Sequence, residues 1–181
     1  MSCTAYTLNG IVRGCEANIG GIKVVYIAPI QDVSALTFDS GTTEVTAISM
    51  VSGKKFKEYN FRKNTGSLTK TLNVTDEGGN YVSTELSLRF SRMETSKRME
   101  MRALALNEMV VLVKDANDKI WILGDPAKDE AVTASAGGGE TGTNREDSNA
   151  YTITLSCESA EWPYEVNMTA ESLAAIIDYN A

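Results

Sequence analysis

The chain contains no histidine, and this absence removes more chemistry than any other feature of its 181 residues. Ser-His-Asp and Cys-His nucleophile pairs, HExxH metal sites and histidine general bases all go with it. An enzyme built on this chain would have to use carboxylate, Lys or Tyr groups, and the sequence predicts a non-enzymatic protein without a cofactor. Cysteine is sparse. Cys3, Cys15 and Cys157 are an odd number, and reduced thiols are the expected state in a reducing compartment. A Cys3–Cys15 pair would close the N-terminal loop only under oxidation, and a zinc site would need a carboxylate as fourth ligand. No apolar run approaches the roughly 18 residues of a membrane span. The opening "MSCTAYTLNGIVRGCEANIGG" is polar and broken by Gly, without the charged and apolar regions of a signal peptide. These features predict a protein made in the cytoplasm and not associated with a membrane.

What is present points to a globular chain. Hydrophobic residues make up 43%, enough for one domain with a proper core. The net charge of −7 is unevenly spread: residues 1–53 carry −2, residues 54–102 carry +5 and residues 103–181 carry −10. A self-assembling subunit whose acidic part meets a neighbour's basic part would show such asymmetry.

The hydrophobic pattern is mainly of period two. Strands are predicted at Lys23–Ala28, Val33–Phe38, Thr43–Val51, Lys54–Phe61, Gly66–Val74 and Tyr81–Phe90. Lys70 falls on the otherwise apolar face of its strand, which suggests an edge or an interface. The pattern then turns helical from about Met93 to Leu106. Ser91 and Glu94 fit a capping box, and Met99, Ala103 and Leu106 share one face. Val110–Lys114 and Lys119–Leu123 form a hairpin around "DAND", with both faces of each arm covered. Further strands are predicted at Glu130–Ser135 and Ala150–Glu158, then an extended exit around Pro163 and a short helix capped by Thr169. This order predicts an antiparallel β-sandwich or barrel with one packed helix, not an alternating βαβ protein. It forms a single domain over 1–181, with an N-terminal arm (1–20), a basic hairpin region (43–90) and a Gly-rich loop (136–149).

That loop contains "GGGETGT" and has the glycine spacing of a phosphate loop at Gly137 and Gly142. Thr143 and Asn144 stand where Lys and Ser or Thr belong, and a strand comes next instead of a helix, so a phosphate would find no helix N-terminus. Glu140, Glu146 and Asp147, like "DANDK", lack the spacing of a calcium loop. Nothing singles out any carboxylate pair among 24 acidic residues. "NVT" and "NMT" match the glycosylation acceptor but have no secretion signal beside them. Trp121 is read as core and Trp162 as a surface anchor. Lys54, Lys55, Lys57, Arg62, Lys63 and Lys70 surround Phe56, Tyr59 and Phe61. The two readings are a solvated lysine-rich face and a charged contact to an acidic partner.

Three stretches resemble the tail-tube and tail-ring structural proteins of bacteriophages, those of gut Bacteroidetes and the crAss-like group included. They are "GCEANIGGIKVVYIAPI", "ELSLRFSRMETSKRMEMRALALNEMVVLVKDANDKIWILG" and "TGTNREDSNAYTITLSCES". The resemblance implies a virion structural protein of the tail or neck, a β-sandwich or barrel flanked by one helix. It also implies a homo-oligomeric ring (hexamer or dodecamer) that lines the channel for DNA passage and contacts adjacent tail or neck proteins. Under it the Gly137–Asn149 loop becomes an assembly element, with Gly137, Gly138 and Gly139 giving adaptability. Arg145, Glu146 and Asp147 then make charged contacts, and the basic set Lys54, Lys55, Lys57, Arg62 and Lys63 is a second interface. Acidity fits a lumen to which DNA does not adhere. The alternative is a ligand-binding β-sandwich module of a phage appendage, for glycan or protein, which predicts surface aromatics clustered on one face.

Overall fold

The computed structural model describes residues 10–76 and 78–179. Its elements run β1 (Ile22–Pro29), β2 (Val33–Phe38), β3 (Val45–Met50), β4 (Phe56–Tyr59), β5 (Ser67–Val74), β6 (Asn80–Ser91), α1 (Thr95–Leu106), β7 (Met109–Asp115), β8 (Ile120–Leu123), β9 (Thr133–Glu140), β10 (Ala150–Ser159), β11 (Tyr164–Glu165), α2 (Ala170–Ile176) and β12 (Ile177–Asp178). The fold is mainly β, with several sheets whose pairings are antiparallel apart from the short β12–β4 contact.

The apolar run "IKVVYIAP" has no polar face, so it must be covered on both sides. β1 accordingly sits inside a six-stranded sheet of order β11-β8-β7-β1-β4-β12. Val25 and Ile27 face one way, toward a second sheet of order β5-β6-β10-β9. Tyr26 and Ala28 face the other way, toward the β2–β3 hairpin and α2. β7 divides in the same manner: Val111 and Val113 join the first core, Val110 and Leu112 the second. The expectation of a hairpin covered on both faces therefore holds. Its turn is fixed by Asp115, whose carboxylate accepts from the Asn117 and Lys119 amides at 2.8 and 2.9 Å, while Asp118 takes φ 66°.

The four-stranded sheet is buried on one face only. Leu86, Leu88 and Phe90 of β6 and Ile153, Leu155 and Cys157 of β10 point into the core. The alternate residues point out and are mostly Ser and Thr.

Four expectations need correction. The segment 43–90 is not one basic hairpin: β3, β4 and the β5–β6 hairpin lie in three different sheets. The capping box does not form, because Ser91 ends β6 and Arg92 turns at φ 66°, leaving Glu94 as an N-cap without a side-chain bond. On α1 the packed face is that of Met101 and Leu104, whereas Met99 and Leu106 stand exposed. Finally, the Gly-rich stretch is not loop from residue 136. Gly137–Glu140 pair with β10 through Ala150–Ile153, because the β10 backbone would otherwise present an open edge. The connection is confined to residues 141–149. Thr169, by contrast, caps α2 as expected, accepting from the Ser172 amide at 3.2 Å.

Candidate assembly interface

The basic residues singled out from sequence fall around β4. Lys54, Lys55 and Lys57 line a cleft of about 600 Å³ between β4 and α1, together with Asp32, Tyr59, Glu100 and Asp178. It is not a bare cationic surface. Lys54 lies 3.5 Å from Asp32, and Lys57 is bound to Asp178, whose carboxyl that bond holds below the usual carboxylate range. The Tyr59 hydroxyl donates to Glu100, and burial first, then this bond, pushes its pKa far up. Part of the charge asymmetry between segments is thus resolved within the chain, as it is again in the 2.8 Å pair Arg89–Glu140. Arg62 and Lys63 are exposed on the turn between β4 and β5.

The second predicted group lies elsewhere. Gly137, Gly138 and Gly139 belong to β9, while Arg145, Glu146 and Asp147 lie on the 141–149 connection. Asp147 is engaged within its own loop: its Oδ2 accepts from the Thr143 and Asn144 amides at 2.7 and 2.6 Å, and these bonds lower its pKa. Asn149 closes the loop from the other side. Its carbonyl accepts from the Arg92 amide at 2.7 Å and its Oδ1 from the Met93 amide at 2.9 Å. Neither hydrogen bonds nor ion pairs join the β4 group to the loop among the described residues.

Sequence reasoning misses the more telling feature, the two ends of the four-stranded sheet. β5 and β9 are its outer strands, each eight residues long, and neither outer edge is paired among the described residues. Lys70 does mark an edge strand. Its amine lies 3.5 Å from the centre of the Trp121 ring, half-buried, and desolvation lowers its pKa. Trp121 is half-buried and donates Nε1–H to Asp115 at 3.0 Å, so it pins β5 to the larger sheet.

The register shows how the two edges relate. Ser67, Ser87, Thr154 and Ala136 stand in one line across the sheet. From that line β5 runs seven residues to Val74 in one direction, and β9 runs four residues to Glu140 in the other. The outward face between these edges carries Thr69 and Thr71, Ser83, Glu85 and Ser87, and Thr152, Thr154 and Ser156. Charge on it comes from Glu85, Glu158 and the Arg89–Glu140 pair. The sequence does carry a signal for this face: two thirds of the outward polar positions of "GSLTKTLNV", "YVSTELSLRF" and "AYTITLSCES" are Ser or Thr, eight of twelve, where a solvated sheet usually carries Lys and Glu.

Two further features singled out from sequence are the N-terminal arm and the cysteines. The described part of the arm is exposed, with Ile11 and Val12 at 102% and 94%. It is held at its root by Asn117, which accepts from the Ile19 amide at 2.9 Å. Cys15 is free and exposed, while Cys157 is buried and its thiol is pushed up to about 11 by burial; Cys3 lies outside the described residues. No protein-family model matches the chain, and no curated protein matches it.

Proposed function

We propose that this chain is a virion structural subunit of a phage tail or neck. Copies of it join their four-stranded sheets edge to edge into a ring, and the ring's lumen passes DNA. The observation that carries this reading is the geometry of the two free edges. Four alternating strands return the direction of the first, so β9 of one copy meets β5 of the next as an antiparallel neighbour. Overlap of β5 with all seven register positions of β9 is reached at a stagger of four or five residues over four strands, and only the even value keeps inward residues against inward residues. A shear equal to the strand number gives a strand tilt of about 36°, within the range found in closed barrels. A closed ring also removes both exposed edges, which in a lone subunit invite uncontrolled pairing.

In such a ring the Ser- and Thr-rich face lines the lumen. Hydroxyl groups hold water without presenting fixed positive charge to phosphates, and Glu85 and Glu158 repel them. The appendage alternative has less behind it: Phe38 packs edge-on against Tyr164 at 4.9 Å, two residues from Trp162, but the exposed Tyr81 and Tyr179 stand on other elements.

The test is the mass of the purified protein by light scattering across a concentration series, followed by negative-stain images. Rings or tubes with a central hole are expected. A strict monomer at every concentration, with glycan binding on an array, would move the assignment to the appendage module.

A further inference from the structure

An apolar groove of about 490 Å³ runs between α1 and β9, lined by Met101, Ala105, Ala134, Gly137, Tyr151 and Ile153. Its floor lacks side chains, and the subunit itself explains only part of that. A Cβ at Gly139 would lie 2.8 Å from the Tyr151 ring, so glycine is required there. A Cβ at Gly137 would make ordinary contacts, 3.4 Å from the Thr152 carbonyl oxygen. The subunit therefore leaves space at Gly137 that it does not need for its own packing.

At the opposite edge the inward row of β5 outruns the core beneath it. Leu72 and Val74 point to the core side of the sheet yet are 51% and 70% exposed. We propose that Leu72 and Val74 of one copy seat in the α1–β9 groove of the next copy, which sets the register of the joint. This rests on the ring reading above. The staggered pairing puts Ser67 opposite Glu140, hence Leu68 opposite Gly139 and Lys70 opposite Gly137. Past the irregularity between Ala136 and Ala134, Leu72 falls opposite Ala134. All three pairs match inward residue to inward residue, as a continuous sheet demands, because a one-residue slip would turn Leu72 to the polar face. Large side chains on β5 thereby meet Gly and Ala on β9. Val74 continues toward the end of α1, where Leu106 is 75% exposed. Arg102 borders the groove, and Lys70, which this register sets opposite Gly137, is kept out of it by its place 3.5 Å from the Trp121 ring of its own copy.

Two sets of variants test this. Leu72→Cys with Ala134→Cys, in a chain with Cys3 and Cys15 changed to Ser, is expected to give a ladder of disulfide-linked oligomers on mild oxidation. Opposed strand residues lie within disulfide reach. Leu68→Cys with Ala134→Cys is expected to give none, and a ladder there instead overturns the register. Gly137→Val, and separately Leu72→Asp with Val74→Asp, should keep the monomer's thermal stability because these sites are exposed in it. Each should raise the concentration needed for assembly about tenfold or more. Rings that form without the ladder and ignore Gly137→Val overturn this inference and leave the ring reading standing. Absence of any oligomer at high concentration removes the ring reading, and this inference with it.

Discussion

Gly124 holds φ +90°, and a Cβ there would lie 3.1 Å from the carbonyl oxygens of both Glu130 and Met109. Gly124→Ala adds backbone strain to a collision with unyielding main chain, and a loss of about 1–3 kcal/mol is expected from urea denaturation. Asp147 gives a pH-dependent counterpart. Its pKa is lowered from 3.8 by the two amides it accepts from, so it supports the loop above that value and the support fades as pH falls through the folded-state pKa. The Thr143 and Asn144 amides should lose protection from exchange in that acidic window. Asp147→Asn should remove the pH dependence. Protection unchanged down to pH 2, on the order of two units below the free carboxylate, would mean the loop does not rest on this side chain.

At the scale of elements, the sheet-to-sheet core decides stability. Leu155 is fully buried between the two larger sheets, and Leu155→Ala should cost about 2–5 kcal/mol in a denaturant titration. The elements most legible in the sequence are those with the most regular burial, β6, β10 and the β7–β8 hairpin, because covering one face or both leaves a periodic trace. The sequence pattern ends β9 at Ser135, since glycine signals a loop. Its last four residues are held as strand by pairing with β10, a tertiary effect that local propensity does not carry. The packed face of α1 is obscured for a related reason. Apolar residues lie all round the helix, so its sequence does not say whether Met99 or Met101 meets the core. Of the interface residues read from sequence, Lys54 and Lys57 at β4 are paired within the chain. Of the two free edges only β5 leaves a trace in sequence, Lys70 on its apolar face; β9 leaves none, since which strand lies at the border of a sheet depends on the order of pairing.

For the whole molecule, the extent of the 141–149 connection decides what a deletion should do. Removal of Gly142–Ser148, joined by a short turn, should leave a folded protein with its melting temperature within a few degrees, because both sheets keep their strands. Removal from Gly137 onward takes half of β9 with it and should lower stability measurably by calorimetry. Equal stability of the two deletions would show that the second half of β9 contributes little to the folded state. Asn149 gives the connection a mechanical character. One residue grips both Arg92 and Met93 just ahead of α1, while the strand that begins beside it, β10, is clamped on both sides by β6 and β9. The loop is therefore a short handle rigidly attached to the root of the helix. A force applied to residues 143–147 would pass through Asn149 to the turn at Arg92 and Met93, the root of the helix that forms one wall of the groove.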